Sequence, residues 1–245
     1  MIVHLFLHRL EGYAVFGFAS AWSGCHFVFE LDQMLKIQIV PVTEYQQNCS
    51  IVYDDQAKVA VVVDPGGEVE KIAAAVERLG VKVEAVWLTH GHLDHAGGAE
   101  AAKKQFDVQI IGPHQDDKML LDNIETMAAG YGLSGMFNAS PDRWLSEGET
   151  LTVGSLEFEV RHCPGHAPGH VVFVNHANKF ILMGDVLFRG SIGRTDLPGG
   201  SHQQLLDSIA SKLMTLDDDY EFICGHSEPS TIGAERKSNP FLQSL

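Results

Sequence analysis

Within seven residues, Thr89-His90-Gly91-His92-Leu93-Asp94-His95, four side chains could bind a cation. His90 and His92 are two apart, so an extended loop points both the same way. Asp94 and His95 follow after a turn and can face a second ion nearby. Gly91 and the Gly97-Gly98 pair remove side chains where the backbone must bend and approach closely. Neutral imidazole and carboxylate form the donor set of divalent transition metals. Three further segments carry the same residue types. They are His162-Cys163-Pro164-Gly165-His166-Ala167-Pro168-Gly169-His170, Gly184-Asp185 and Cys224-Gly225-His226. A loop histidine that only hydrogen-bonds is unremarkable alone. Four segments that each place a ligand type just past an apolar run predict a shared metal site.

The elements that must position these groups are regular from Lys36 onward. Lys36–Val42, Ser50–Tyr53 and the β-branched run Val59–Val63 read as strands, with a turn at Asp54-Asp55-Gln56-Ala57. Glu68–Leu79 has helical periodicity and stops at Gly80. Strand Val81–Leu88 leads into the ligand loop Thr89–His95, followed by a helix over 97–106 and a strand over Val108–Ile111. A helix is expected near Asp116–Met127. Short strands follow at Thr150–Val153, Leu156–Arg161, His170–Val174 and Phe180–Met183, then an amphipathic helix Gln203–Met214 and a last strand Tyr220–Cys224. No repeat or linker divides 34–245, and two strand clusters, each followed by helices, suit two packed sheets with helices outside.

These segments resemble the metallo-β-lactamase superfamily and, within it, the glyoxalase II (hydroxyacylglutathione hydrolase) family, closest to the short bacterial type without a C-terminal helical domain. The likeness runs from Lys36 to Leu245 and includes Asn48-Cys49, VDPGG at 63–67, THGHLDH, HCPGHAPGH, GDVLFRGSIGR and Asn239-Pro240-Phe241-Leu242. It implies an α/β fold, a four-layer αββα sandwich. It also implies that His90, His92 and His166 hold one metal and that Asp94, His95 and His226 hold the other. Asp185 would bridge the two, and His170 would orient its loop. Two divalent ions, zinc first with iron or manganese also possible, are the expected cofactor. Asp64, at its strand end, is either an outer partner of a ligand histidine or a turn former before Pro65. Cys163 is expected to be a small buried hydrophobe.

The ligand count implies hydrolysis. Two ions about 3.5–4 Å apart share a hydroxide and lower the pKa of water to about 7. Asp94 and Asp185 are the carboxylates expected to serve catalysis. A thioester leaves as a thiolate, with a thiol pKa of about 8.5, and needs no general acid. The expected function is therefore hydrolysis of a thioester, S-lactoylglutathione or a related one. Arg194 would contact the substrate, although Asp196 stands where the family has a tyrosine. A mononuclear iron persulfide dioxygenase is the alternative. The bridging Asp185 disfavours a β-lactamase, and composition disfavours an RNA-processing nuclease. With 32 acidic and 17 basic residues the net charge is −15, which repels nucleic acid and anionic lipid. The partner is a small molecule. Four scattered cysteines without a C-x-x-C pair fit a reduced cytoplasm. Residues 1–33 lack a period, fall short of the roughly 20 apolar residues of a spanning helix and match no signal peptide. They are expected to be an extension of doubtful order before a hydrolase domain at 34–245.

Overall fold

β-Branched and aromatic residues dominate the strands, and their alternation feeds three apolar layers. The computed structural model describes residues 28–31 and 35–243. Seven strands form the first sheet in sequence order: β1 Val28–Leu31, β2 Leu35–Val42, β3 Gln47–Asp54, β4 Val59–Val63, β5 Lys82–Trp87, β6 Gln109–His114 and β7 Arg143–Leu145. Pairing is antiparallel from β1 to β4 and parallel from β4 to β7. The second sheet comprises β8 Thr150–Val153, β9 Leu156–His162, β10 Val171–Asn175, β11 Phe180–Gly184, β14 Glu221–Cys224 and β15 Ser230–Thr231. Its order is β15-β14-β11-β10-β9-β8, and among the described residues its only parallel pair is β11 with β14. A small hairpin, β12 Leu187–Phe188 with β13 Ser191–Ile192, follows β11.

Between the sheets, Ile37, Val61, Val63 and Trp87 meet Phe158, Phe173 and Leu182. Trp87 packs on Phe158 edge to face at 5.6 Å and on Phe173 at 5.1 Å. The opposite face of the first sheet (Val40, Ile51, Val62) is covered by α1 Val69–Leu79 through Ile72, Ala75 and Val76. Val86 and Ile110 are covered by α3 Ala99–Phe106 through Ala99 and Ala102. The outer face of the second sheet (Val172, Val174, Ile181) takes α6 His202–Ser208 and the π-helical turn Ile209–Leu213, with Leu205, Ile209 and Leu213 pointing in. Ile232 of α7 Ile232–Ser238 joins the same layer. This is the αββα sandwich.

Three expectations change. Asp94 and His95 lie in a one-turn helix, α2 Leu93–Ala96, rather than an open loop. The single helix expected near 116–127 is a 3-10 turn Gln115–Asp117, then α4 Lys118–Leu121 and α5 Ile124–Gly130; Asp122 and Asn123, at the break, compete with helical hydrogen bonding. The helix at 203–214 widens into the π-turn, where the Ser211 hydroxyl donates back to the Asp207 carbonyl. Strand β1 lies inside the stretch expected as an extension and pairs with β2; the rest of 1–33, residues 1–27 and 32–33, lies outside the described residues. No helix among the described residues is long and apolar enough to cross a membrane.

Candidate metal centre

Every ligand-type side chain sits at or beyond the end of a strand. Asp64 follows β4, Thr89 and His90 follow β5, and the loop to His170 joins β9 to β10. Asp185 follows β11 and His226 follows β14. The two sheets are stitched together at this rim: Val171 N–H donates to the Thr89 carbonyl at 2.8 Å, and Asn48 N–H to the Gly225 carbonyl at 2.7 Å. Asn48 also donates its side-chain amide to the Cys224 and Ser227 carbonyls, which fixes the turn that carries His226.

Two groups of donors result. His90, His92 and His166 converge in one, and Asp94, His95 and His226 in the other. The Asp185 carboxylate lies between them. One of its oxygens is 3.4 Å from His95 Nε2, and the other is 3.6 Å from His166 Nε2 and 3.7 Å from His226 Nε2. His226 Nε2 is 3.1 Å from Asp94 Oδ2, and His92 Nδ1 is 2.9 Å from His166 Nε2.

Outer contacts decide which ring nitrogens are bare, since a carbonyl or carboxylate oxygen only accepts. His166 Nδ1–H donates to the Arg194 carbonyl (2.8 Å), and His226 Nδ1–H to the Tyr45 carbonyl (3.2 Å). His95 Nδ1–H donates to Asp64 Oδ2 (2.9 Å). The Thr89 hydroxyl also donates to Asp64 Oδ2 (2.6 Å), so it accepts from His90 Nδ1–H (3.0 Å). Asp64 Oδ1 takes Thr89 N–H as well. Asp64 therefore orients one histidine in each group, and it also lies near enough to His90 and His95 to form a third donor group. It sits at φ 52°, a left-handed conformation that Asp tolerates better than most residues. His170 Nε2 accepts Asp185 N–H (3.0 Å), and its ring stacks on His90 at 4.6 Å.

A cation fits this donor set. The Nε2 atoms of His90 and His95 and Oδ1 of Asp185 are buried and have no hydrogen-bond partner among the described residues. Burial normally forbids that unless something else satisfies the lone pairs. Electrostatics agree. Burial, reinforced by neighbouring imidazoles, holds His90 well below the usual histidine range and His92 at about 3, so both stay neutral as ligands must. Burial would raise Asp185, but His95 and His166 outweigh it and keep the carboxylate ionised. Burial also works against a charged His95, yet Asp185 and Asp94 prevail and raise its pKa well above 6.5. That pull is what an anionic cradle exerts on a proton in the place of a metal.

All seven candidate ligands named from the sequence come together. Arg194 is exposed, with its carbonyl on His166 Nδ1 and its guanidinium paired to Asp196, both bonds 2.8 Å. Cys163 is fully buried and its thiol is pushed up to about 12 by burial, as suits an inert packing residue. Asp117, whose buried carboxylate accepts Gly91 N–H and Gly169 N–H, is not legible in the sequence: a lone Asp in a polar turn carries no pattern. A fourth donor group, His114, Asp116 and His162, has its two rings stacked at 4.2 Å and 20°. In-plane lone pairs on parallel rings run side by side and do not converge, so this geometry does not form a metal site.

The family model described as "Metallo-beta-lactamase superfamily" matches residues 42–226. A curated relative from Haemophilus influenzae, "Hydroxyacylglutathione hydrolase GloC", is 46% identical over 211 residues, covering 86% of this chain and 99% of the relative. Among solved structures, "BLEG-1 B3 metallo-beta-lactamase" is similar with a TM-score of 0.78 and 35% identity, covering 84% of this chain and 99% of that one. "TTHA1623 in a di-iron-bound form" has a TM-score of 0.76 and 35% identity, covering 83% and 99%.

Proposed function

The chain belongs to the metallo-beta-lactamase superfamily and is a metal-dependent hydrolase, and we propose that it uses two metals to hydrolyse acyl thioesters, with S-lactoylglutathione or a close analogue as substrate. One observation carries this reading: the Asp185 carboxylate faces both donor groups, one oxygen toward His95 and the other toward His166 and His226. The named function of the relative from H. influenzae supports the thioester class. His90, His92 and His166 would hold one ion, Asp94, His95 and His226 the other, and Asp185 both.

Bound there, two divalent ions supply an acidified water and polarise the substrate carbonyl. The chain's own groups do the rest. Asp64, the Arg194 carbonyl and the Tyr45 carbonyl keep the outer imidazole nitrogens protonated, which leaves lone pairs pointing inward. Burial opposes charge on Asp94, but His95 and His226 hold its carboxylate below the usual range, so it remains an acceptor able to orient the attacking water. Thiolate departure needs no protonated residue. Zinc is the metal we favour; the similarity to a di-iron protein makes iron the first competitor. We place the hydrolase domain at 34–245 and read the setting as cytoplasmic. The buried free thiols Cys49, Cys163 and Cys224 are consistent with that setting, and the acidic surface with a small-molecule substrate rather than nucleic acid.

The test is turnover of S-lactoylglutathione, an N-acetylcysteamine thioester and a β-lactam by protein of measured metal content. The β-lactam arm is included because one similar structure is named a lactamase. Thioester turnover is expected, and Asp185→Ala should lower it by on the order of 10³-fold, the worth of several kcal/mol of metal assistance. A fully loaded enzyme that leaves both thioesters intact would reject the proposal.

A further inference from the structure

Asp117 is a fully buried carboxylate that no step above uses. It ends the 3-10 turn Gln115–Asp117 after β6, outside every ligand-bearing segment. One oxygen accepts Gly91 N–H at 2.7 Å and the other accepts Gly169 N–H at 2.5 Å. Gly91 separates His90 from His92, and Gly169 lies between His166 and His170. Neither position admits a side chain. A Cβ on Gly91 would press on Leu120 and the Asp117 carbonyl, and one on Gly169 would overlap Asp117 N and the His114 carbonyl. The Gly169 peptide is gripped from both sides, because its carbonyl accepts His114 N–H at 3.0 Å.

We infer that Asp117 is the positioning residue of the His90/His92/His166 ion, a single carboxylate that locks together the two loops carrying that ion's three ligands. The second donor group is held by other means. Asp64 fixes His95, while the Tyr45 carbonyl and Asn48 fix His226 and its turn. Asp117 therefore acts on one ion and not on both. A carboxylate can accept both backbone N–H groups. An amide cannot, since its NH₂ would face one of them, which leaves a buried donor unpaired.

The inference rests on the two-ion reading and is tested by titrating metal-free protein with Co(II) alone, following the visible spectrum of bound cobalt and the number of ions per chain. Wild type is expected to bind two ions, and His92→Ala and His226→Ala identify which spectral phase belongs to which group. Asp117→Asn should weaken the phase lost in His92→Ala by about 10- to 100-fold, as loss of outer partners does elsewhere, and spare the phase lost in His226→Ala. In a His92→Ala background, Asp117→Asn should change nothing further. Asp117→Ser, which keeps one acceptor and leaves room for water, serves if Asp117→Asn does not fold; it should weaken the same phase by less. Equal weakening of both phases, or of neither, overturns the inference. A wild type that binds a single ion overturns the two-ion reading instead, and Asp117 then stands or falls on whether that ion weakens in Asp117→Asn.

Discussion

A histidine that binds a metal usually has its other nitrogen occupied; in this centre His90, His95, His166 and His226 have such a partner, and it differs from ring to ring. Asp64 reaches His95 directly and His90 through the Thr89 hydroxyl. The two routes can be separated. Thr89→Ala should disturb only the His90 group, whereas Asp64→Ala should disturb both. Each loss is expected to cost about 10- to 100-fold in affinity for the ion concerned, measured as metal retained after dialysis against graded chelator. If Thr89→Ala strips both ions equally, the relay through threonine is wrong. The candidate ligands were legible as a group in the sequence because their types and spacing are unusual. Asp64 was legible only as one of two alternatives, since an Asp before Pro65 reads equally well as a turn. The contact with His95, 31 residues away, favours the outer-partner reading, and nothing local encodes it.

Strands deliver ligands to a common rim only if the turn beyond each one leaves room. Gly225, between the end of β14 and His226, is one such place: an added Cβ would overlap Asp185 Oδ1 and the His95 ring. Gly225→Ala should therefore displace the Asp185 carboxylate while sparing the β14–β11 pairing, because alanine keeps the N–H that position 225 donates to the Gly184 carbonyl. Turnover is expected to fall by on the order of 100-fold or more, as a displacement of about 1 Å can do. Circular dichroism of the metal-free protein should barely change; a lost fold would show that the glycine serves the sheet instead. The apolar runs made most strands readable to within a residue or two. The helices around 93–96 and 115–130 were not, because the turn at 93–96 answers to the donor geometry and the turn at 115–117 to the bonds that Asp117 makes with Gly91 and Gly169. Both depend on segments far away in the chain.

At the scale of the molecule, the two sheets are joined at the site rim and also on the side remote from it. There Asp54, at the end of β3, reaches across to the turn between β8 and β9. Its carboxylate accepts Gln56 N–H and Ala57 N–H within its own turn, and both the N–H and the hydroxyl of Ser155 from the other sheet. Partial burial alone would raise its pKa, but the Ser155 hydroxyl and the backbone bonds outweigh it and hold the group at about 2, against an ordinary 3.8. Above about pH 4 the carboxylate is ionised in native and unfolded chains alike, and the full stabilisation, about 1–2 kcal/mol after solvent screening, is present. Between about pH 4 and 2 the unfolded chain takes up a proton that the native carboxylate refuses, so stability falls with pH; below about 2 the contribution is gone. Asp54→Asn should thus be less stable than wild type at neutral pH, with the gap closing as pH drops through this window. Urea unfolding of both proteins, kept metal-free with chelator so that ion release cannot contribute, measures that gap directly. A difference that stays constant from pH 7 to 2 would show that Asp54 packs the seam without its charge mattering.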